Sequence, residues 1–214
     1  MYILAETTSV ANNFLAQIRD INIQKDRQKF RRNIERIGEI LAYEISKNLH
    51  FENDKITTPL GEKETKTLKD QPVLVTILRA GLPLHNGMLN YFDEADNAFI
   101  GAYRGSHNAK DDFDIEMDYI TSPDIQGRTL IICDPMIATG KSIEKAYHAM
   151  LRYGIPKRTY IVAAIASARG ARFIQARMPE CRLYLGDLDK DLSSKSYIIP
   201  GLGDAGDLAY GEKS

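Results

Sequence analysis

One stretch, residues 129–142 with the sequence TLIICDPMIATGKS, constrains the fold more than any other part of the chain. Its first five residues, Thr129–Cys133, are apolar and mostly β-branched, which predicts a short strand buried on both faces. Pro135 ends this strand because proline has no N–H to donate to a sheet. Small and polar residues then form a turn, and from Ser142 onward the sequence has helical character. The first N–H groups of a helix are unpaired and attract anions, so the stretch predicts a phosphate site.

Two ligand-binding interpretations of this turn compete, a P-loop for a nucleotide and a site for a ribose 5′-phosphate. Thr139 and Ser142 add hydroxyl donors, and Gly140 lets the backbone come close to a ligand. A P-loop nucleotidase would need a glycine where Pro135 stands, so that pattern fails. Asp134, at the end of the strand, can reach the hydroxyls of a ribose whose 5′-phosphate lies in the turn. The alternative without a function is a strand-to-helix turn in which the hydroxyls only cap the helix.

The composition indicates a single globular domain, residues 1–214, which is long enough to bury a full core. The net charge of −1 provides no field that would attract nucleic acid or a membrane, so we expect neither as a partner. Two cysteines imply no disulfide framework. The N-terminus lacks a basic region and no apolar run reaches 18 residues, so we expect a cytoplasmic protein.

Apolar runs alternate with helical patterns along the chain. The runs predict strands at residues 73–78, 99–103, 129–133, 158–166 and 181–187, and the helical patterns lie at 27–49, 84–91, 143–153 and 170–176. Residues 1–24 show a mixed pattern. Strands that alternate with helices predict an α/β fold, with a central parallel sheet flanked by helices.

Two segments depart from this alternation. Residues 51–70 alternate weakly around Pro59, which predicts a β-hairpin arm. Such an arm has little core of its own, so we expect it to rest on another element or on another subunit. Residues 106–124 contain six acidic residues and one basic residue, Lys110. We predict a long, irregular and mobile loop there, and its acidity argues against nucleic acid on this face.

Three charged residues follow predicted strands. Arg79, Arg104 and Asp134 each come at the end of an apolar run. Because the carboxyl ends of parallel strands meet at one edge of a sheet, we expect these side chains to lie together. A guanidinium group binds phosphate oxygens with two parallel hydrogen bonds, so two arginines at this edge favour a polyanionic ligand.

Residues 197–210 do not fit the alternation either. Three glycines, one proline and two acidic residues fall within residues 197–208, YIIPGLGDAGDL. This composition predicts neither a helix nor a good strand, so the backbone N–H and C=O groups need other partners. The edge of a planar nucleobase is a suitable partner. We therefore predict a base-binding segment at residues 197–210.

Five motifs together resemble uracil phosphoribosyltransferases along nearly the whole chain. They are FRRNIERIGEILAYE, ILRAG, AYRG, DPMIATGKS and YIIPGLGDAGD. The resemblance implies the type I phosphoribosyltransferase fold, with a small hood over the base. It also implies transfer of the phosphoribosyl group from phosphoribosyl pyrophosphate to uracil, giving UMP and pyrophosphate with Mg²⁺ as the cofactor. A homodimer or larger homo-oligomer and a non-proline cis peptide near Arg79–Ala80 are implied as well.

The resemblance also implies roles for individual residues. Four would be catalytic: Arg79 and Arg104 on the pyrophosphate, Asp134 on the ribose hydroxyls, and Asp204. The phosphoribosyl pyrophosphate contacts would continue through Pro135, Met136, Ile137, Ala138, Thr139, Gly140, Lys141 and Ser142, the last five holding the 5′-phosphate. The uracil site would be formed by Ile198, Gly203, Asp204 and Ala205. Asp204 would also face the sugar phosphate and its metal ion, directly or through water.

Four features depart from the family pattern. Lys141 stands where the family usually has glycine, Arg169 replaces a glutamate, Leu208 replaces a basic residue, and residues 106–124 are acidic. Two alternatives therefore remain open. One is a UMP-sensing regulator that acts through RNA, although such a regulator should present a basic face. The other is a phosphoribosyltransferase for a different base.

Overall fold

The computed structural model describes residues 1–107 and 113–212, and in residues 103–107 and 113–116 it describes the backbone alone. The helices of this part of the chain are α1 (Ala11–Arg19), α2 (Arg27–Ser46), α3 (Leu82–Leu89), α4 (Lys141–Met150), α5 (Ala168–Arg177) and α6 (Ala205–Tyr210). The strands are β1 (Tyr2–Ile3), β2 (Phe51–Thr58), β3 (Gly61–Leu68), β4 (Val73–Leu78), β5 (Asp96–His107), β6 (Phe113–Thr121), β7 (Thr129–Cys133), β8 (Met136–Ile137), β9 (Arg158–Ser167), β10 (Cys181–Asp189), β11 (Asp191–Leu192) and β12 (Ile198–Ile199).

The central sheet has the strand order β1–β10–β9–β7–β4–β5–β6, and β8 pairs with β9. Its neighbouring strands are parallel except for β5 and β6, which are antiparallel. Every residue of β9 after Arg158 is buried, as expected for a parallel strand that is covered on both faces. The predicted α/β fold with a central, mostly parallel sheet is therefore confirmed.

The helices cover both faces of the sheet. Alternate residues of β7 point to opposite faces, so Ile131 packs in the core under α1, α2 and α3, whereas Ile132 packs in the core under α4 and α5. The carboxyl ends of β4, β7, β9 and β10 meet at one edge of the sheet. Beside this edge, β11 and β12 form a two-stranded antiparallel sheet, and with α6 they make up the small hood.

The hairpin β2–β3 forms outside the central sheet. Its register pairs Phe51 with Leu68 and Thr58 with Gly61. Residues 51–57 are all exposed, and Leu60 at the tip is 100% exposed. A two-stranded hairpin is marginally stable alone, so this arm needs further contacts.

Three expectations from the sequence are wrong. Residues 106–124 are not an irregular loop, because β5 continues to His107 and β6 pairs with it, while residues 108–112 lie outside the described part. The period-two alternation in β6, FDIEMDYIT, was the signal for this strand. Arg104 consequently lies inside β5, three residues before its end, and not at the end of a strand. Residues 197–210 contain the strand β12 and the helix α6, because Asp204 caps a short helix that begins after the last turn glycine.

The N-terminal region is more regular than its mixed sequence suggested. Residues 11–19 form α1, which buries Ala11, Leu15 and Ile18 against the core. No helix in the described ranges is both long and apolar enough to span a membrane.

Candidate active site

A cavity of about 230 Å³ opens at the carboxyl edge of the sheet. Four parts of the chain line it: residues 77–80 at the end of β4, Ala102 of β5, residues 134–143 after β7, and Ser196 with residues 204–206 from the hood. Segments far apart in sequence therefore meet at the edge where open α/β sheets bind their ligands.

The turn after β8 has the geometry of an anion site. Gly140 precedes the first residue of α4 and has φ +84°, a left-handed conformation that favours glycine. A β-carbon there would lie 2.8 Å from Cδ1 of Phe173 and 3.1 Å from the carbonyl of Gly170. Lys141 is already helical, so the lysine at this position does not obstruct the turn. The first residues of α4, 141–143, line the cavity, and the N–H groups at the start of a helix attract anions.

The start of α5 holds this turn from behind. The Ser167 hydroxyl donates to the carbonyl of Ala138 (2.5 Å) and accepts from the N–H of Gly170 (2.9 Å). Gly170 can have no side chain, because the carbonyl of Ala138 occupies the space of a β-carbon. Sequence analysis missed Ser167 and Gly170 as site-forming residues. A serine three residues before a glycine at a strand-to-helix junction was the available signal.

Asp134 lies at the floor of the cavity. Its Oδ1 accepts a weak hydrogen bond from the N–H of Met136 (3.4 Å). Burial raises the pKa of this carboxyl to about 7, and the Met136 N–H lowers it only in part. Burial therefore disfavours the charged form of this carboxyl, which lies beside the turn at residues 138–142.

Arg79 and Asp204 lie on the hood side of the cavity. Nη2 of Arg79 donates to the carbonyl of Gly211 (3.1 Å) and lies 3.7 Å from Oδ1 of Asp207. Asp204 caps α6, where its Oδ1 accepts from the N–H of Asp207 (3.1 Å). The non-proline cis peptide that the resemblance implied is present between Leu78 and Arg79, and a second cis peptide precedes Pro200.

The cavity brings together most of the residues singled out from the sequence. Its lining includes Arg79, Asp134, Pro135, Met136, Ile137, Ala138, Thr139, Gly140, Lys141, Ser142, Asp204 and Ala205. Ile198 and Gly203 lie outside the lining: Ile198 is 5% exposed, and Gly203 is in the turn before Asp204 with φ +96°. The backbone of Arg104 pairs with Ile115, and its side chain lies outside the description.

The residues present suit a metal ion that arrives with its ligand. Within residues 1–107 and 113–212, no three His, Cys, Asp or Glu side chains cluster as a metal site of their own. Asp134 and Asp204 are the two carboxylates among the lining residues. Mg²⁺ keeps several waters and commonly binds one or two carboxylates plus the phosphates of a substrate, so this donor set fits it.

The raised pKa of Asp134 predicts a pH-dependent gain in stability for Asp134→Asn. Between pH 4 and pH 7 the folded carboxyl holds a proton that the unfolded chain has lost, so wild-type stability falls as the pH rises through this window. Asparagine does not titrate. We expect Asp134→Asn to raise the free energy of unfolding by roughly 1–3 kcal/mol at pH 8, with little change at pH 4.

Urea unfolding at both pH values measures this difference. Asp93→Asn, at an exposed position, is the control and should follow the wild type at both. An equal effect of Asp134→Asn at pH 4 and pH 8 would contradict a burial-shifted carboxyl.

Comparison with known proteins agrees with this geometry. The profile of the family described as uracil phosphoribosyltransferase matches residues 5–212. A protein from Porphyromonas gingivalis named uracil phosphoribosyltransferase is 52% identical over 96% of this chain and 95% of its own. The solved structure of a protein from Aquifex aeolicus superposes with a TM-score of 0.86, at 31% identity over 96% of both chains.

A more distant structure shows the same fold. A hypoxanthine phosphoribosyltransferase from Staphylococcus aureus superposes with a TM-score of 0.51, at 12% identity over 87% of this chain and 84% of its own. The fold is that of the type I phosphoribosyltransferases, as expected. By the extent of the match to the family profile and to the Porphyromonas protein, the chain belongs to the uracil phosphoribosyltransferase family.

Proposed function

We propose that this protein transfers the phosphoribosyl group from phosphoribosyl pyrophosphate to uracil, which yields UMP and pyrophosphate. One observation carries the proposal: a single cavity joins the anion-binding turn, the carboxyl of Asp134 and the hood residues Asp204 and Ala205. In the proposed complex these three parts would hold the phosphate, the sugar and the base of one nucleotide. Family membership supports the same reaction.

The turn at residues 138–142 would hold the 5′-phosphate. The N–H groups at the start of α4 and the hydroxyls of Thr139 and Ser142 are donors for its oxygens. Asp134 would accept hydrogen bonds from the ribose hydroxyls. Both its protonated and its charged form can bind a hydroxyl, but only the charged form adds attraction to a nearby cation.

Arg79 and Arg104 would bind the pyrophosphate. For Arg79 the support is its place in the cavity lining, and for Arg104 it is the motif AYRG alone. Mg²⁺, when bound with the substrate, would add positive charge beside the phosphate oxygens, with Asp204 holding it directly or through water. The two guanidinium groups would stabilise negative charge as it develops on the leaving pyrophosphate.

The base would lie against the hood. Backbone groups of Ile198 and Gly203, with Asp204 and Ala205, would align uracil so that its N1 faces the anomeric carbon, an orientation effect. The bond from that carbon to pyrophosphate breaks and its electron pair leaves with the pyrophosphate. N1 forms the new bond and loses its proton to solvent. The protein supplies position and charge, and no side chain acts as a nucleophile.

We also propose that the protein is a homodimer or larger homo-oligomer in the cytoplasm. The hairpin β2–β3 exposes Phe51 (40%), Ile56 (41%) and Leu60 (100%), and a second copy of the chain would cover them. Ile56→Asp with Leu60→Asp should shift the sedimentation coefficient toward that of a monomer. A monomeric wild type would contradict this assembly.

A base panel tests the proposed reaction. Purified protein is mixed with phosphoribosyl pyrophosphate, Mg²⁺ and each of uracil, cytosine, hypoxanthine, guanine and adenine, and nucleotide formation is followed by chromatography. We expect UMP from uracil and little product from the other bases. Turnover of another base would assign a different substrate, and UMP binding without turnover of any base would favour a UMP-sensing regulator.

We expect the Lys141 side chain to increase the affinity for phosphoribosyl pyrophosphate. Its ammonium group adds one positive charge to the turn that would hold the 5′-phosphate. Lys141→Met should raise KM for phosphoribosyl pyrophosphate about three- to ten-fold, the effect of about 1 kcal/mol, with a smaller change in kcat. The rise should shrink at high salt because screening weakens the wild-type attraction.

Lys145→Met is the matched control. Lys145 lies one turn further along α4 and is not among the residues that line the cavity. Its replacement should leave both kinetic constants close to those of the wild type. An unchanged KM for phosphoribosyl pyrophosphate in Lys141→Met at low salt would contradict a phosphate contact.

A further inference from the structure

Arg19, the last residue of α1, connects three distant parts of the chain. Its Nη1 donates to Oδ2 of Asp189 (2.8 Å) and to the carbonyl of Gly201 (3.0 Å). Its Nη2 donates to Oδ1 of Asp189 (3.0 Å) and to Oδ2 of Asp187 (2.8 Å). Asp189 in turn accepts from the N–H of Gly201 through Oδ2 (3.0 Å). The ion pair therefore holds both backbone polar groups of Gly201.

This ion pair differs from those on the surface of the protein. The side chains of Arg19 and Asp189 are 18% and 8% exposed, whereas the Arg32 side chain in the Arg32–Glu35 pair is 48% exposed. Burial disfavours the charged guanidinium, yet the pKa of Arg19 lies above its usual value because Asp189 and Asp187 bind it. Because two carboxylates pair with it, the buried guanidinium charge is stabilised. Removal of one of these carboxylates would leave the charge less compensated and would destabilise this region.

Gly201 is the point at which the base-binding segment folds back on itself. It has φ +62°, and the carbonyl of Ile198 occupies the space where a β-carbon would lie. The position of Gly201 therefore fixes Ile198 before it and, through Leu202, Gly203 after it. Within residues 1–107 and 113–212, β12 pairs with β11 over two residues and with no other strand, so backbone pairing alone holds this segment weakly.

We propose that Arg19 and Asp189 are positioning residues for the base: they hold residues 198–204 in place and so set the affinity for uracil without touching it. This inference rests on the proposed function, in which that segment contacts the base. All four hydrogen bonds of the Arg19 guanidinium go to β10 and to Gly201, and none goes to its own helix. Arg19 thus ties the end of α1 to β10 by three bonds and to the segment by one, and Asp189 adds a second bond to the segment through the N–H of Gly201.

A second anchor lies directly beside the first. Asp189, the last residue of β10, is paired in register with Ser167, the last residue of β9. Ser167 holds Ala138 in the phosphate turn, and Asp189 holds Gly201 in the base segment. Binding of the two substrates, phosphoribosyl pyrophosphate and uracil, is therefore predicted to depend on different, adjacent strand ends. Variants of the two anchors should have separable effects.

Steady-state kinetics of Arg19→Lys and Asp189→Asn test the inference. Lysine keeps the charge but cannot form the planar fork, and asparagine keeps an acceptor for Gly201 but not the charge. KM for uracil should rise about ten-fold or more, the loss expected for one hydrogen bond to a charged group. KM for phosphoribosyl pyrophosphate should stay within about two-fold of the wild type.

Two further variants serve as comparisons. Ser167→Ala should show the reverse pattern, with the larger rise in KM for phosphoribosyl pyrophosphate. Arg128→Lys is the matched control, because Arg128 also pairs with an aspartate, Asp96 (2.6 Å), but at the opposite edge of the sheet. It should change neither KM. An equal rise of both constants in Arg19→Lys, or no change in KM for uracil, would overturn the inference.

Hydrogen exchange provides a readout that does not need turnover. The amides of residues 198, 199 and 201–204 (Pro200 has none) should exchange faster in Arg19→Lys and Asp189→Asn than in the wild type, while those of residues 138–142 should not. Unchanged exchange in residues 198–204 would overturn the positioning role. If the wild type makes no UMP, the proposed function fails, but the exchange rates still decide whether Arg19 orders the segment.

Discussion

Pairing between the carboxyl ends of β9 and β10 is the constraint on which the site depends. Ser167 and Asp189 are opposite each other, and each uses its side chain to hold a loop that lines or borders the cavity. Adjacent strands in a sheet lie about 4.8 Å apart, so this spacing sets the distance between the two anchors. The apolar interiors of these strands in turn keep their ends in register, because both faces are buried.

Burial as well as composition determines which charges lie at the carboxyl edge of the sheet. The chain has a net charge of −1, yet the cavity brings Arg79, Lys141 and the N-terminus of α4 together, and the pKa of Asp134 is raised by burial. The pair of Arg19 and Asp189 is buried as well, but it is neutralised internally. The cavity therefore offers two cationic side chains and a helix N-terminus beside Asp134 and Asp204, whereas the buried ion pair serves geometry. This division fits a reaction in which pyrophosphate leaves and no side chain is a nucleophile.

Sequence patterns predicted the strands, turns and helices whose structure is determined by residues close together in the sequence. The strand Thr129–Cys133 and the turn that follows it could be recognised because buried strands are apolar and helix starts are polar. The alternation in β6 was overlooked because its acids resembled a solvated loop. The helix α6 was missed because its glycines suggested a turn throughout, whereas the turn ends at Asp204.

The contacts that anchor the loops could not be derived from the sequence. Ser167 and Ala138 are 29 residues apart, and Arg19 and Gly201 are 182 apart, so no local pattern joins them. A serine and an arginine are common at helix ends, and only the fold shows which carbonyl each one meets. Prediction from patterns therefore located the turn that lines the cavity but not the network that fixes its position.

A crystal structure of the protein with UMP bound tests the account most directly. In that structure the phosphate should lie on the turn at residues 138–142, the ribose hydroxyls at Asp134, and the uracil edge against residues 198–205. A phosphate bound elsewhere, or a base that turns away from residues 198–205, would contradict it.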